Sequence, residues 1–165
     1  NFMKKDEKFI VATIHRPENT DNQNNLKKIL NILLDISKKY IVIFPTHPRI
    51  QKKIDKNKFK NIKFVDPMGY LDFLNLVHKS KLVLTDSGGI TEEASVMNIP
   101  CITIRKNTER PETITNGTNL LCKAEKSKIW KNIWRIENKK WKKLRGIPLW
   151  DGKTSNRIFN IIKNY

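Results

Sequence analysis

Short apolar runs alternate along this sequence with longer segments whose apolar residues repeat at helical spacing. Five runs have the length of a buried strand: FIVATI (9–14), IVIFP (41–45), IKFV (62–65), KLVLT (81–85) and PCITI (100–104). NLLC (119–122) is a candidate for a last, short strand. The runs are apolar throughout rather than alternating, as central parallel strands are when helices cover both faces of the sheet.

The segments between the strands predict helices. Their approximate bounds are 24–39, 50–57, 70–80, 89–98, 127–138 and 154–165. In the first helix Leu26, Ile29, Leu30, Leu33 and Ile36 fall on one face, as expected for a helix that packs on a sheet. A chain of 165 residues suits one domain. We therefore predict an α/β fold, a Rossmann-like doubly wound parallel sheet of five or six strands, with 1–165 as a single domain.

The charge of the chain changes this picture little. Its 33 Lys and Arg residues against 16 Asp and Glu give a formal net charge of +17, which raises nucleic acid, an anionic membrane or an anionic substrate as partner. The lysines are spread along the chain among many Asn and Ile residues, which favours compositional drift over a dedicated basic face. We predict no nucleic-acid and no membrane partner.

Three further features support an ordinary globular domain. Trp130 and Trp134, one helical turn apart in a basic stretch, form either an aromatic platform for nucleic acid or, as we prefer, the packed face of a helix. Cys101 and Cys122 have no metal-binding or redox spacing, so we predict buried, reduced thiols. No apolar run approaches the roughly 18 residues of a membrane-spanning helix, and we predict a cytoplasmic location.

Candidate chemistry lies in the loops that follow the strands. These loops are HRPEN, THPR, DPMGYLDF, TDSGG and RKNTERPE. Ligands of open parallel sheets bind beyond the carboxyl ends of the strands, and all five loops would meet at that edge. Their convergence predicts a binding site there.

The segment TDSGGITEEA (85–94) suggests a phosphate group as part of the ligand. Gly88 and Gly89 allow a sharp turn and a close approach of the backbone, and the helix that follows offers free N–H groups. Glu92 or Glu93 would repel phosphate but could accept hydrogen bonds from ribose hydroxyls. A nucleoside diphosphate fits this combination. The alternative is an ordinary helix N-terminus with acidic residues that complement the helix dipole.

Single residues in the other loops leave two interpretations open. Arg110 could bind an oxygen-rich ligand, or form a surface ion pair with Glu109 or Glu112. His15 could act at the site or stabilise its own loop. Phe73 could stack on a base or belong to the core.

Three long motifs together resemble the C-terminal half of the non-hydrolysing UDP-N-acetylglucosamine 2-epimerases. They are TIHRPENTDN, PMGYLDFLNLVHKSKLVLTDSGGITEEA and IRKNTERPETITNGTNLL, and the closing PLWDGKTSNRI is similar as well. The resemblance implies one domain of a glycosyltransferase-B-like, two-domain architecture. It also implies interconversion of UDP-N-acetylglucosamine (UDP-GlcNAc) and UDP-N-acetylmannosamine (UDP-ManNAc). UDP is eliminated across C1 and C2 and added back, without NAD or metal, so no cofactor is expected.

The resemblance also implies roles for individual residues. His15 matches a residue on the diphosphate and active-site side, and Glu93 the carboxylate that binds ribose. The substrate-binding residues carried over are Met68, Phe73, Ser87, Gly88, Gly89, Glu93 and Arg110. Residues 87–89 match the diphosphate-binding turn. Phe73 matches a contact to uracil, and Met68 a position where the backbone recognises uracil.

The resemblance has further implications for a second ligand site, for catalysis and for assembly. His47 falls near the region where bacterial members bind a second, activating UDP-GlcNAc. The acid and base carboxylates of the family belong to its N-terminal domain, and no residue here replaces them. Proton abstraction at C2 needs both groups, so we expect this chain to bind UDP weakly and not to catalyse. The complete protein is expected to be a homodimer.

Two alternatives remain at this point. The same fold could serve a UDP-sugar-dependent glycosyltransferase or a hydrolysing epimerase, which product analysis would distinguish. A basic module that binds nucleic acid without catalysis would instead show steeply salt-dependent binding that UDP does not compete with.

Overall fold

A computed structural model describes residues 8–165 of the chain, apart from the side chain of Arg49; the first seven residues of the predicted domain lie outside it. The strands are β1 (Phe9–Thr13), β2 (Ile41–Pro45), β3 (Ile62–Val65), β4 (Leu82–Thr85), β5 (Cys101–Ile104) and β6 (Asn119–Cys122). The helices are α1 (Pro17–Thr20), α2 (Gln23–Ile36), α3 (Pro48–Gln51), α4 (Tyr70–Lys79), α5 (Gly88–Val96), α6 (Pro111–Thr115), α7 (Lys126–Glu137) and α8 (Thr154–Lys163).

The six strands form one sheet in the order β3-β2-β1-β4-β5-β6, and every neighbouring pair is parallel. This confirms the predicted Rossmann-like doubly wound sheet, with six strands. The chain adds β2 and β3 on one side of β1 and then returns to add β4 on the other side. The strand order thus reverses between β1 and β4, and a crevice opens at their carboxyl ends, where ligands of such sheets bind.

Helices cover both faces of the sheet because successive residues of each strand point to opposite sides. On one face Ile10 and Ala12 of β1 pack with side chains of α2 and α7. On the other, Phe9 and Val11 pack with Val77 of α4. Full burial of an apolar side chain contributes about 1.5–3 kcal/mol. The buried apolar residues of α2 are Leu26, Ile29, Leu30, Ile32, Leu33 and Ile36, which makes this helix a principal cover of the first face.

Three local predictions were wrong. The helix expected over 50–57 is instead α3, which ends at Gln51, and a separate 3₁₀ turn, Lys56–Phe59. The side chain of Asp55 accepts a hydrogen bond from the Asn57 amide (3.2 Å) and so begins a new turn. The loops HRPEN and TERPE also contain short helices, α1 and α6, each with proline in its first turn. Proline suits that position because its missing N–H is not needed there.

The prediction that Trp130 and Trp134 form the packed face of a helix is confirmed for Trp130 only. Trp130 packs against the main core and donates a hydrogen bond from Nε1 to Asp35 Oδ2 of α2 (2.9 Å). Trp134 is 51% exposed and lies beneath the ammonium of Lys140 (5.1 Å from the ring centre). Only Trp130 therefore anchors α7 as expected. Trp134 lies one helical turn beyond Trp130 but remains exposed.

Cys101 and Cys122 are buried free thiols, as predicted, and burial raises the pKa of Cys101 to about 12. Within residues 8–165, no helix has the length and apolar character needed to cross a membrane.

Candidate functional site

The buried carboxylate of Asp86 joins the ends of the two central strands. β1 and β4 finish side by side, with Thr13 opposite Thr85 and their hydroxyls 2.9 Å apart. Asp86, which is 0% exposed, accepts hydrogen bonds from the backbone amides of His15 (3.1 Å) and Arg16 (3.0 Å). The HRPEN loop is therefore held against the TDSGG loop at the point where the strand order reverses.

The ring of His15 is oriented by the same carboxylate. Its Nδ1 lies 3.2 Å from Asp86 Oδ1, and its ring centre lies 5.7 Å from that of His47. This contact turns the Nδ1 edge of the ring toward the buried carboxylate.

A cleft of about 210 Å³ opens beside these histidines. Met68, Phe73 and Ile90 form part of its apolar wall, together with prolines of two neighbouring loops. Sites for drug-sized ligands measure roughly 300–1,000 Å³. The cleft can therefore enclose only part of a nucleotide, such as its base, and the remainder would lie along the sheet edge.

The N-terminus of α5 borders the cleft, because Ile90 of its first turn lines it. Ser87 precedes the helix, and within the described chain its side chain makes no capping hydrogen bond. The first amides of a helix have no partner inside the helix. Those of Gly88 and Gly89 are thus placed to bind an anion.

The two glycines are not required by the fold. Among residues 8–165, positive-φ glycines are found only at Gly146 and Gly152, so the short turn between β4 and α5 does not depend on a positive φ at Gly88 or Gly89. A methyl group at Gly89 would meet no described atom within 4 Å, and one at Gly88 would meet Glu109 Oε2 at 3.5 Å. Alanine is favoured over glycine inside helices by about 1 kcal/mol. The open space above these residues points to the close approach of a ligand.

Glu93 and Arg110 lie outside the cleft. Glu93 lines a second hollow of about 360 Å³, together with Tyr70 and Trp150. Burial raises the pKa of Glu93, and a hydrogen bond from the Tyr70 hydroxyl opposes that rise. Arg110 donates from Nε to Glu92 Oε1 (2.6 Å). It does form an ion pair, but its partner is Glu92 of α5 rather than Glu109 or Glu112.

A chain of ion pairs ties the TERPE loop to the HRPEN loop. Arg105, whose side chain is 9% exposed, contacts Glu109 (2.5 Å) and Glu18 (3.1 Å). Glu109 also lies 3.5 Å from Arg16, and its hydrogen bond with Arg105 lowers its pKa to about 2. The Glu109 carboxylate and the Arg16 guanidinium both lie near the N-terminus of α5, at 3.5 Å and 4.0 Å from the position that a methyl group on Gly88 would occupy.

The structure brings His15, Met68 and Phe73 into one cleft and places residues 87–89 at its border. Glu93 and Arg110 do not line this cleft. Asp86, Asn19 and Arg105 were not among the predicted site residues. An acidic residue directly after a buried strand was a usable signal for Asp86, but its partners only become visible once β1 and β4 are neighbours. Within residues 8–165, no three His, Cys, Asp or Glu side chains cluster in a way that could hold a metal ion.

The sequence is similar to those of known proteins. The chain is 41% identical over 169 residues to a UDP-N-acetylglucosamine 2-epimerase of Methanococcus maripaludis, covering 96% of this chain and 45% of that protein. It is 42% identical over 123 residues to a UDP-2,3-diacetamido-2,3-dideoxy-D-glucuronate 2-epimerase of Pseudomonas aeruginosa, covering 73% of this chain and 35% of the relative.

A solved structure matches as well. It is that of Methanocaldococcus jannaschii UDP-GlcNAc 2-epimerase in complex with UDP-GlcNAc and UDP, with a TM-score of 0.83 and 39% identity, covering 96% of this chain and 46% of that one. The chain thus spans less than half the length of each of these relatives. The sequence profile of the UDP-N-acetylglucosamine 2-epimerases matches residues 1–163. The chain therefore belongs to the UDP-N-acetylglucosamine 2-epimerase family.

Proposed function

We propose that this chain is the C-terminal, UDP-binding half of an epimerase that interconverts UDP-GlcNAc and UDP-ManNAc. In this reaction UDP is eliminated across C1 and C2 of the sugar, and is then added back with inversion at C2. The observation that carries the proposal is the open helix N-terminus at the β1 and β4 crevice, whose two glycines serve neither backbone conformation nor packing. Tight retention of UDP matters because the second step needs the same molecule in place.

The ligand would lie along the sheet edge in three parts. Uracil occupies the cleft, with the Phe73 ring and the backbone near Met68 as its neighbours. The diphosphate binds the amides at residues 87–89. The nearby guanidinium of Arg16, which is 36% exposed and paired with Glu109 at 3.5 Å, is available for exchange because exposed ion pairs contribute at most about 1 kcal/mol. The ribose hydroxyls bind Glu93, and Arg110 contacts the same ligand after leaving Glu92.

His15 is the residue of this half that faces the chemistry. It lines the cleft next to the proposed diphosphate site, where its ring can stabilise the charge that UDP gains on leaving. No Asp or Glu lines the described cleft, although removal of the C2 proton requires a base and an acid. We propose that these carboxylates come from an N-terminal domain and that the chain alone is inactive.

The surface of α8 supports an architecture of two domains. Ile158, Phe159, Ile161 and Ile162 of this helix are 52–68% exposed, and none of its residues is buried within the described part of the chain. Apolar faces of this kind mark contacts with another surface. The complete protein is proposed to be a cytoplasmic homodimer.

Replacing Glu93 with glutamine should weaken UDP binding about tenfold, because a charge-assisted hydrogen bond is worth about 1.5–3 kcal/mol. The free energy of unfolding should not fall at neutral pH. Since burial raises the pKa of Glu93 in the folded state, ionisation of this group lowers stability as pH rises from its ordinary value through the raised one. The glutamine variant should lack that decrease. Calorimetric titration with UDP and urea unfolding across this pH range measure both effects.

Glu92→Gln provides the matched control, since Glu92 is the adjacent carboxylate in α5 and pairs with Arg110. Its UDP affinity should equal or exceed that of the wild type. Equal affinity in Glu93→Gln and the wild type would contradict the ribose assignment.

The sugar requires a separate assay, because relatives named for two different UDP-sugars match this chain with nearly equal identity. Both UDP-GlcNAc and UDP-2,3-diacetamido-2,3-dideoxy-D-glucuronate should be offered to the complete enzyme in D₂O. An epimerase incorporates deuterium at C2 and returns the nucleotide sugar. Release of free sugar would indicate hydrolysis instead.

A further inference from the structure

The carboxylate of Glu109 lies against the N-terminus of α5, where the binding scheme above places the diphosphate. Its Oε2 atom is 3.5 Å from the position that a methyl group on Gly88 would occupy, whereas a methyl group on Gly89 would meet no described atom within 4 Å. A negative charge is favoured at a helix N-terminus, where the helix dipole is positive. One glycine of the pair is therefore covered by a negative charge of the protein itself, and the other is open.

Two guanidinium groups hold this carboxylate. Arg105 donates from Nη1 to Glu109 Oε2 (2.5 Å) and from Nε to Glu18 Oε1 (3.1 Å), so Arg105 keeps a carboxylate partner when Glu109 leaves. Arg16 Nη2 lies 3.5 Å from Glu109 Oε1 and 4.0 Å from the methyl position on Gly88. Arg16 is therefore placed to exchange this carboxylate for a phosphate group bound at the same end of the helix.

The Glu109 side chain can leave without a rearrangement of its loop. It is 48% exposed, so the carboxylate has solvent to move into. The backbone that follows it is held independently, because the Arg110 amide donates to Thr108 Oγ1 (3.1 Å) and the Thr113 hydroxyl donates to the Arg110 carbonyl (2.7 Å). Exposed ion pairs contribute little to stability, and the contact with Arg16 is therefore easily exchanged.

We propose that Glu109 is a resident carboxylate that competes with the diphosphate of the nucleotide for the N-terminus of α5 and for Arg16. Binding displaces Glu109 toward solvent, and the diphosphate takes over both contacts. The proposal rests on the function proposed above, since it presumes that the diphosphate binds at residues 87–89. Glu109 thereby lowers the affinity for UDP, and only a ligand with phosphate charge gains from the exchange.

Glu109→Gln removes the competing charge and keeps the size of the side chain. In calorimetric titration of the 165-residue chain, UDP should bind this variant about fivefold more tightly than the wild type, because no exposed ion pair has to be broken. Uridine, which lacks phosphate, should bind both chains equally. Glu112→Gln is the matched control, since it removes a carboxylate from the first turn of α6 in the same loop. It should leave the UDP affinity unchanged.

A second measurement needs no variant. The side-chain carboxyl ¹³C signal of Glu109 should shift when UDP is added to the wild type and stay in place when uridine is added. An unchanged or lower UDP affinity in Glu109→Gln, or an equal gain in Glu112→Gln or for uridine, would overturn the proposal. So would a Glu109 carboxyl signal that does not respond to UDP while the Gly89 amide does. A Gly89 amide that does not respond to UDP would instead contradict the proposed function, on which this inference rests.

Discussion

Replacing Gly89 with leucine should abolish UDP binding while leaving the free energy of unfolding unchanged or slightly higher. A Cβ at this position would meet no described atom within 4 Å, so a larger side chain would begin in open space. Exchange of a helical glycine for a better helix former stabilises by about 0.4–1 kcal/mol. The new side chain would occupy the space above the first amides of α5, where the diphosphate is proposed to lie. We expect affinity to fall at least about a hundredfold, or roughly 2.7 kcal/mol.

Two measurements check this expectation: an NMR titration with UDP and unfolding in urea. Gly89→Ala provides a graded control, with a smaller loss of affinity and the same stability. If the leucine variant bound UDP as the wild type does, the ligand would not approach this helix, and the proposed diphosphate site would be wrong.

Gly117→Ala should have the opposite profile, with a large loss of stability and no direct effect on the nucleotide site. A methyl group there would lie 2.5 Å from Ser95 Oγ and 2.6 Å from the carbonyl oxygen of Thr113. The Ser95 side chain cannot easily move, because it donates to Thr91 O (2.8 Å) and accepts from the Thr118 amide (3.3 Å). Overpacking of this kind costs about 1–3 kcal/mol.

Thermal unfolding measures this cost. For a chain of this size each kcal/mol shifts Tm by about 2–4 °C, so we expect Tm to fall by roughly 2–12 °C in Gly117→Ala. An unchanged Tm would show that the junction of α5 and α6 can relax. It would also contradict the claim that Gly117 is required by packing, in contrast to Gly89.

The order of strands and helices could be predicted from the sequence because central parallel strands are apolar on both faces. Runs such as 9–14 and 100–104 therefore stand out from the lysine-rich segments around them. The helix 50–57 could not be predicted correctly, because only Ile50 and Ile54 of its residues face the core and a single side chain, Asp55, ends the pattern. The exposure of Trp134 could not be predicted either, because helical spacing alone does not say which residues of α7 are covered by the rest of the domain.

The site was only partly predictable for a related reason. His15 comes from the loop after β1, whereas Met68 and Phe73 come from the segment after β3, and the rule that ligands bind at the carboxyl edge was enough to group them. The side-chain partners of that edge are long-range: Asp86 meets His15 across 71 positions of sequence, and Arg105 meets Glu18 across 87. Such contacts follow from the strand order, which the residues alone did not supply. The glycines were identified, although the turn between β4 and α5 needs no positive φ at either of them.

A titration of the 165-residue chain with UDP, followed by ¹H–¹⁵N NMR, tests the central claim most directly. We expect saturable shifts of the amides of His15, Phe73 and Gly89, weak affinity, and persistence of the UDP-bound state when single-stranded RNA is added. No shift of these amides at millimolar UDP, or steeply salt-dependent RNA binding that UDP does not displace, would contradict the claim that this chain is the UDP-binding half of an epimerase.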